Sequence, residues 1–173
     1  MTPRKPSKTE PQTVEMPPQK MAVVYGKGAP DKVFSDVLPA LFGSVYTLKF
    51  DLKKKGLPTF KVSAPRSRYP DALLVPKEQW TIITGIPVPE DTTSLPQKVS
   101  GIEVKLETWD YGTVAQILHI GAYDQEQPTI ERLQQFITDS GYQIADVHEE
   151  EYLTNPDAKV LKTIIRYPVR KKS

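Results

Sequence analysis

Cysteine is absent from this chain of 173 residues, and no long apolar run occurs in it. Without cysteine, disulfide bonds and thiolate metal sites are excluded, although the redox compartment stays undetermined. No segment approaches the ~18 apolar residues of a membrane-spanning helix. The opening residues also lack the apolar segment of a signal peptide. We therefore expect a cytoplasmic protein that has no membrane partner.

A strong charge of either sign is lacking too, since 23 lysines and arginines face 21 aspartates and glutamates and give a formal net charge of +2. Six basic side chains lie near the two ends, at Arg4, Lys5, Lys8, Arg170, Lys171 and Lys172. The body between them is therefore acidic, whereas a nucleic-acid-binding body needs a basic face. We predict no nucleic-acid partner, and we expect the basic ends to be solvated tails.

Histidine is scarce, because His119 and His148 are the only two in the chain. Their spacing matches no zinc motif. The sequence contains no nucleophile elbow of the Gly-x-Ser-x-Gly type, and Gly26-x-Gly28 lacks the rest of a dinucleotide fingerprint. We therefore predict neither a metal nor a cofactor. For His119 we expect a structural histidine whose ring is hydrogen-bonded to a backbone carbonyl.

What the sequence does contain is an internal repeat. The stretch from Met21 to Asp31 and the stretch from Val114 to Asp124 are both short apolar strand patterns that end in Gly-Ala-x-Asp. A helical stretch follows each of them, and later a strand that ends in Pro-Val. Two copies are too few for a solenoid, so we expect one pseudo-symmetric globule. The seam between two such halves is a natural place for a ligand cleft.

The predicted fold class is α+β, with two βαββ modules, antiparallel sheets, helices on one side and a central ligand cleft. Residues 1–19 are expected to be a disordered or extended N-terminal segment, and residues 20–171 a single domain. Its first half covers about residues 20–90 and its second half about residues 102–170. We expect a monomer or a weak dimer.

Within this scheme, a helix of about four turns is predicted around residues 33–46, with a kink or close contact at Pro39 and Gly43. Residues 59–62 are predicted to be a strand and residues 64–70 a polar loop. Residues 142–153 are predicted to form one continuous strand.

The alternation along residues 144–153 puts polar and charged side chains on one face of that strand. This face carries Ile144, Asp146, His148, Glu150 and Tyr152. Such a face is not expected to pack against an apolar helix, so it either meets water or lines a polar cleft. The nearby aromatic side chains favour the cleft, because tyrosine suits half-wet sites.

Glu150 has two candidate roles in such a cleft. A single carboxylate among aromatic rings can attract a lipophilic cation, to which each ring adds about 0.5–2 kcal/mol. It can also act as a general base if burial raises its pKa. Glu149 and Glu151 point away from Glu150 by alternation, so a glycosidase-like carboxylate pair within this strand is excluded.

Several motifs resemble a known family. Val114-Ala-Gln-Ile-Leu-His-Ile-Gly-Ala-Tyr-Asp, then His148-Glu-Glu-Glu-Tyr-Leu-Thr-Asn-Pro156, then Leu161-Lys-Thr-Ile-Ile-Arg-Tyr-Pro-Val169 resemble the GyrI-like small-molecule-binding superfamily. The stand-alone branch of that superfamily is the more similar, over about residues 13–171. The first half resembles the branch more weakly, in Ser44-x-Tyr46 and Pro76-x-Glu-x-Trp80. The sequence departs from the family pattern at Glu151, where an aliphatic residue is usual, and at Asn155, where Asp is common.

The resemblance implies paired βαββ modules and a cleft into which the motif glutamate, here Glu150, reaches. It implies binding of bulky aromatic and often cationic small molecules, either to sequester or to sense them. The expected ligand-binding residues are Glu150, Tyr152, His148, Tyr69, Trp80, Trp109, Tyr123 and His119.

Two alternatives to simple binding remain open. Some stand-alone members of the family hydrolyse cyclopropane-bearing genotoxins, which would make Glu150 and Tyr123 catalytic. The chain would otherwise be a protein-interaction module of the gyrase-inhibitor type.

Overall fold

The computed structural model describes residues 9–173, which form two compact units. The first unit is Gln19–Trp109, and the second combines residues 9–18 with residues 110–173. The described residues contain two α-helices, α1 (Pro30–Lys54) and α2 (Gln127–Asp139). Their strands are β1 (Gln12–Met16), β2 (Gln19–Lys27), β3 (Arg66–Arg68), β4 (Thr81–Pro87), β5 (Lys105–Trp109), β6 (Gly112–Ile120), β7 (Tyr142–Ile144), β8 (Glu149–Tyr152) and β9 (Lys162–Lys171). Every strand pair within a unit is antiparallel, so the prediction of an α+β fold with antiparallel strands is confirmed.

The first unit has the sheet order β3-β4-β2-β5, and α1 packs on β2 and β4. The central strand β2 has no polar side chain from Met21 to Val24, all of which are fully buried. Such a continuous apolar run is typical of a strand that is covered on both faces. Gly26 lets the helix approach the strand, because a Cβ built on it would overlap the Cγ1 of Val33.

Helix α1 is 25 residues long, much longer than the predicted four turns. Pro30 opens it, where the missing N–H of proline does no harm. Pro39 and Gly43 both lie inside the helix and do not end it. The apolar stripe that holds the helix on the sheet is Val33, Val37, Ala40, Leu41 and Val45. Burial of this stripe outweighs the cost of an internal proline, which is about 3 kcal/mol.

Two predictions for the first unit are wrong. Residues 59–62 form no strand, and the predicted polar loop at residues 64–70 contains β3 instead. β3 is held at the sheet edge by pairing with β4 and by a buried hydrogen bond of 2.8 Å between the hydroxyls of Ser67 and Thr84. Three residues that include two arginines carry no strand signal, so the pairing decides the local structure.

The second unit has the sheet order β1-β6-β9-β8, with β7 paired to the far end of β9. Helix α2 packs on β6 and β7. The core between helix and sheet is built from Ala115, Ile117, Leu133, Ile137, Ile165, Tyr167 and Val169. Among the described residues, neither helix is long and apolar enough to cross a membrane.

Strand β1 lies in the segment that was expected to be disordered or extended. Gln12–Met16 pairs with β6 along its whole length, while residues 1–8 lie outside the described part of the chain. The prediction of a single strand from residue 142 to residue 153 is wrong. Residues 145–148 separate β7 from β8, and the Asp146 carboxylate accepts a hydrogen bond of 2.7 Å from the Val147 N–H in this break.

Candidate functional site

The three consecutive glutamates of β8 point to opposite faces of the sheet, as the alternation predicted. Glu149 and Glu151 share a face with Arg166 of β9. The Arg166 guanidinium donates to Glu149 Oε2 at 2.7 Å through Nη1 and to Glu151 Oε1 at 3.0 Å through Nη2. All three residues are at most 2% exposed. An arginine holds two buried carboxylates well because its planar guanidinium has five donors in a fixed geometry.

Two further side chains take part in this buried network. The Tyr111 hydroxyl donates to Glu149 Oε1 at 3.0 Å, and the Arg166 Nε–H donates to Gln116 Oε1 at 3.1 Å. The two carboxylates raise the pKa of Arg166 further, although burial alone would lower it. The network fixes β8 against β9 and therefore fixes the direction in which Glu150 points.

Glu150 lies on the other face, opposite Ile165 of β9. The same face of the sheet packs against α2, since Ile165 and Tyr167, which lie two residues apart on β9, belong to the core under that helix. The prediction that the His-Glu-Tyr face would not pack against an apolar helix is therefore wrong. The Glu150 carboxylate is nevertheless buried, with the residue 8% exposed.

His148 connects Glu150 to Tyr167. Its Nε2 lies 2.7 Å from Glu150 Oε2, and its Nδ1 lies 2.9 Å from the Tyr167 hydroxyl. The two rings meet edge to face, with centroids 5.2 Å apart. Burial raises the pKa of the Tyr167 hydroxyl, so this hydroxyl keeps its proton near neutral pH. Both nitrogens of His148 are therefore used to orient groups on the Glu150 face.

Glu126 is the residue of this site that sequence reasoning missed. It immediately precedes α2, is 8% exposed, and its carboxyl group interacts with that of Glu150. Burial, and after it the negative charge of Glu150, raise the pKa of Glu126 to about 9. A helix N-terminus ordinarily favours an ionised carboxylate, but here desolvation and the second carboxylate outweigh that effect. The one signal in the sequence was an acidic residue at the start of α2.

Two tyrosines stand beside the carboxyl pair. The rings of Tyr123 and Tyr152 meet edge to face, with centroids 5.7 Å apart. Tyr123 is 39% exposed and lies in a short 3₁₀ turn before α2. Burial and the charges of Glu126 and Glu150 raise the pKa of Tyr123, so this phenol is a proton donor rather than a phenolate at neutral pH. The structure thus brings together four predicted site residues, Glu150, His148, Tyr152 and Tyr123.

His119 lies on β6 in the same unit and is buried. Its Nε2 lies 3.0 Å from the carbonyl oxygen of Ala122, and its Nδ1 lies 2.7 Å from the Thr129 hydroxyl. The expectation of a structural histidine bonded to a backbone carbonyl is confirmed. Because both nitrogens are used within the fold, the role of His119 as a ligand contact stays a prediction.

The remaining three predicted residues lie in the first unit. Tyr69 and Trp80 meet edge to face, with ring centroids 5.8 Å apart. Trp109 is buried, donates its Nε1–H to Glu107 at 3.1 Å, and carries the Arg68 guanidinium over its ring at 3.8 Å. No acceptor in residues 9–173 meets the buried Nε1–H of Trp80. The ligand-binding roles of these three aromatic residues stay predictions.

Metal binding would depend on the arrangement of the acidic and histidine side chains of the described residues. Over residues 9–173, no group of three or more His, Asp or Glu side chains is arranged to hold a metal ion. The polar groups on the Glu150 face are instead used as hydrogen-bonding partners of one another.

The fold and the Glu150 face together describe an α+β domain with a buried acidic and aromatic site. Residues 9–170 match the family model of the GyrI-like small molecule binding domain, so the chain belongs to this family of small-molecule binding domains. Comparison with curated proteins gives no significant match.

Solved structures with the same fold include two groups. A hydrolase encoded by lin2189 from Listeria innocua has a TM-score of 0.81 at 22% identity, with 94% of this chain and 93% of that chain covered. An uncharacterised conserved protein from the same organism has a TM-score of 0.82 at 23% identity, with the same coverage of 94% and 93%. The EcmrR C-terminal domain has a TM-score of 0.68 at 16% identity, with 94% of this chain and 98% of that domain covered. At these identities the likeness establishes the fold alone.

Proposed function

We propose that the Glu150 face of the second unit binds bulky aromatic cations, so that the protein sequesters or senses such compounds. The observation that carries this proposal is the contrast between the glutamates of β8. Glu149 and Glu151 are both paired with Arg166, whereas no lysine or arginine of residues 9–173 pairs with the buried Glu150. A buried carboxylate without a strong cationic partner is unfavourable. A ligand cation that reaches it relieves that cost.

The aromatic rings make the site suitable for an aromatic ligand. Tyr123 is partly exposed and its ring is in contact with that of Tyr152. A cation over a tyrosine face gains about 0.5–2 kcal/mol. The recognition is tolerant of ligand shape, because ring faces and one buried charge impose little directional hydrogen bonding. This tolerance fits promiscuous binding better than recognition of a single metabolite.

A titration with the cationic dye rhodamine 6G tests the proposal. Fluorescence anisotropy of the wild type and of the Glu150→Gln variant should show at least a tenfold weaker affinity for the variant, equal to about 1.4 kcal/mol. Asp124→Asn is the matched control, because Asp124 is an exposed acid in the same 3₁₀ turn as Tyr123. The control should bind like the wild type. Equal affinity of the wild type and Glu150→Gln would refute the electrostatic role.

A second candidate function is hydrolysis of a cyclopropane-bearing alkylating agent. It is favoured by the position of Tyr123, a phenol that keeps its proton close to the buried carboxylate of Glu150. Glu150 would take a proton from water while the water oxygen forms a bond to a ring carbon and a ring C–C bond breaks. Tyr123 would hydrogen-bond to the oxygen atom that receives the electron pair.

Mass spectrometry decides between binding and turnover. Incubation of the wild type with such an agent should yield the product with one added water faster than buffer does. Tyr123→Phe, which keeps the ring and removes the hydroxyl, should lose turnover but retain dye binding. A rate equal to that in buffer would leave binding alone as the function.

A further inference from the structure

We propose that Glu126 and Glu150 share one proton and that this pair matches its charge to the ligand, keeping the proton with a monocation and releasing it with a dication. The inference rests on the proposed cation-binding function and adds a specificity-determining residue to it. It also names two classes of ligand that the site treats differently.

Contacts on the Glu150 face bring the two carboxyl groups together. The rings of Tyr123 and Tyr152, with centroids 5.7 Å apart, hold the 3₁₀ turn that ends before Glu126 against β8, and the Glu126 carboxyl interacts there with that of Glu150. Ionised carboxylates are hydrogen-bond acceptors only. A hydrogen bond between two carboxyl groups therefore requires a proton on one of them. Both residues are 8% exposed, so water stabilises a second negative charge poorly at this pair.

The contacts of the two carboxyl groups indicate which of them carries the proton. No hydrogen-bond donor within residues 9–173 reaches the buried Oε2 of Glu126. Glu150, by contrast, has His148 Nε2 at 2.7 Å from its Oε2. Hydrogen bonding to a carboxylate stabilises the ionised form. The proton therefore belongs on Glu126 and the charge on Glu150, which agrees with a pKa of about 9 for Glu126.

The groups that face this pair come from three elements besides the start of α2. His148 and Tyr152 approach from β8 and the residue before it, Tyr167 from β9, and Tyr123 from the 3₁₀ turn. Of these, the phenols of Tyr123 and Tyr167 have raised pKa values and stay neutral. His148 contacts Glu150 directly, with Nε2 2.7 Å from Glu150 Oε2, so it needs its own control.

Charge matching follows from the cost of uncompensated buried charge. With the proton in place the pair carries one negative charge, which a monocation neutralises. A dication leaves one positive charge uncompensated unless the pair also loses its proton. Binding and proton release are then linked, so dication affinity rises by up to about tenfold per pH unit below the Glu126 pKa.

Ethidium and propidium are matched probes, because they share one ring system and carry one and two positive charges. Isothermal titration calorimetry at pH 7, in two buffers of different ionisation enthalpy, counts the protons released by each dye. We expect close to one proton released with propidium and close to none with ethidium. The propidium affinity should increase between pH 6 and pH 8 while the ethidium affinity stays nearly constant.

Two variants assign the proton. Glu126→Gln should bind propidium without proton release. His148→Gln should retain the release of one proton with propidium. Release that survives in Glu126→Gln and disappears in His148→Gln would overturn the assignment.

The outcomes separate this inference from the function on which it rests. Equal proton release with the two dyes, including none with either, overturns charge matching while cation binding stands. Absence of binding of either dye overturns both. Infrared spectroscopy of the free protein provides a test without any ligand: a protonated-carboxyl stretch should be present at pH 7 in the wild type and absent in Glu126→Gln. A spectrum without that band in the wild type contradicts the shared proton.

Discussion

Arg166 is the residue whose loss should most damage the frame of the site. Its guanidinium is 2% exposed and binds Glu149 at 2.7 Å, Glu151 at 3.0 Å and Gln116 at 3.1 Å. Methionine has a similar length but no charge, so Arg166→Met removes a cation that both buried carboxylates bind. Removal of one partner from a buried ion pair costs about 3–5 kcal/mol. For a chain of this size that loss lowers Tm by roughly 6–20 °C, at about 2–4 °C per kcal/mol.

Urea unfolding followed by circular dichroism measures the effect. With an m-value of about 2 kcal/mol/M, the midpoint should fall by about 1.5–2.5 M. Arg166→Lys keeps the charge but loses the planar guanidinium, and should lose less stability than Arg166→Met. Arg132→Met is the control, since Arg132 is exposed on α2 and should change stability by at most about 0.5 kcal/mol.

A rescue experiment separates the lost charge from lost packing. Combining Arg166→Met with Glu149→Gln and Glu151→Leu removes all three buried charges, and the glutamine still offers an acceptor to Tyr111. A neutral replacement of a buried ion network is often harmless, so the triple variant should recover more than half of the loss. A loss below about 1 kcal/mol for Arg166→Met, or a triple variant no more stable than the single one, would show that the charge of Arg166 does not stabilise the network.

Three further predictions concern other parts of the chain. Because the pKa of Glu126 is raised to about 9 in the folded state, the folded protein binds this proton more tightly than the unfolded chain does. The proton therefore stabilises the fold at low pH, and that stabilisation is lost as the pH rises towards 9. Wild-type stability should therefore fall relative to Glu126→Gln as pH rises from 5 to 9, by at least about 1 kcal/mol in urea titrations; parallel curves would contradict this. Gly26→Ala should cost about 1–3 kcal/mol by overpacking against Val33, and Val33→Ala added to it should recover part of that loss, whereas thermal melts showing additive losses would exclude the contact. Tyr123→Ala should weaken rhodamine 6G binding about 2- to 30-fold while Tyr123→Phe stays near the wild type, and equal losses in anisotropy titrations would show that the ring face is not the contact.

Elements with strong periodicity were predictable from the sequence. The apolar run of β2 and the amphipathic pattern of α2 each specify their structure locally, because burial of apolar side chains dominates the energetics. Strand alternation correctly placed Glu150 on the face opposite to Glu149 and Glu151. The predicted helices and strands agree with the structure where apolar side chains recur at the spacing of a helix or a strand over several residues.

Elements that depend on a partner strand were not predictable. β3 contains two arginines in three residues and is a strand only because β4 lies beside it. The break between β7 and β8 has a local signal in Asp146, whose carboxylate binds the next N–H, but such side-chain turns are common inside predicted strands as well. Helix α1 runs through Pro39 because the sheet on one side of it stabilises the helix beyond its intrinsic propensity.

The residues of the site also divide into those that a local pattern predicts and those that depend on a distant partner. Glu150, His148, Tyr152 and Tyr123 were found from residue type and resemblance. Glu126 was missed because its importance arises from a contact with a strand more than twenty residues away in the sequence. The pairing of Glu149 and Glu151 with Arg166 was missed for the same reason, since no sequence pattern states which buried arginine faces which carboxylate.

A crystal structure of the protein soaked with ethidium would show directly whether the Glu150 face binds aromatic cations. We expect the dye's ring to lie within about 6 Å of the Tyr123 or Tyr152 ring centroid, with Glu150 as the carboxylate nearest to its cationic nitrogen. A dye bound elsewhere on the protein, with the Glu126–Glu150 pair and the two tyrosines uncontacted, would contradict this expectation.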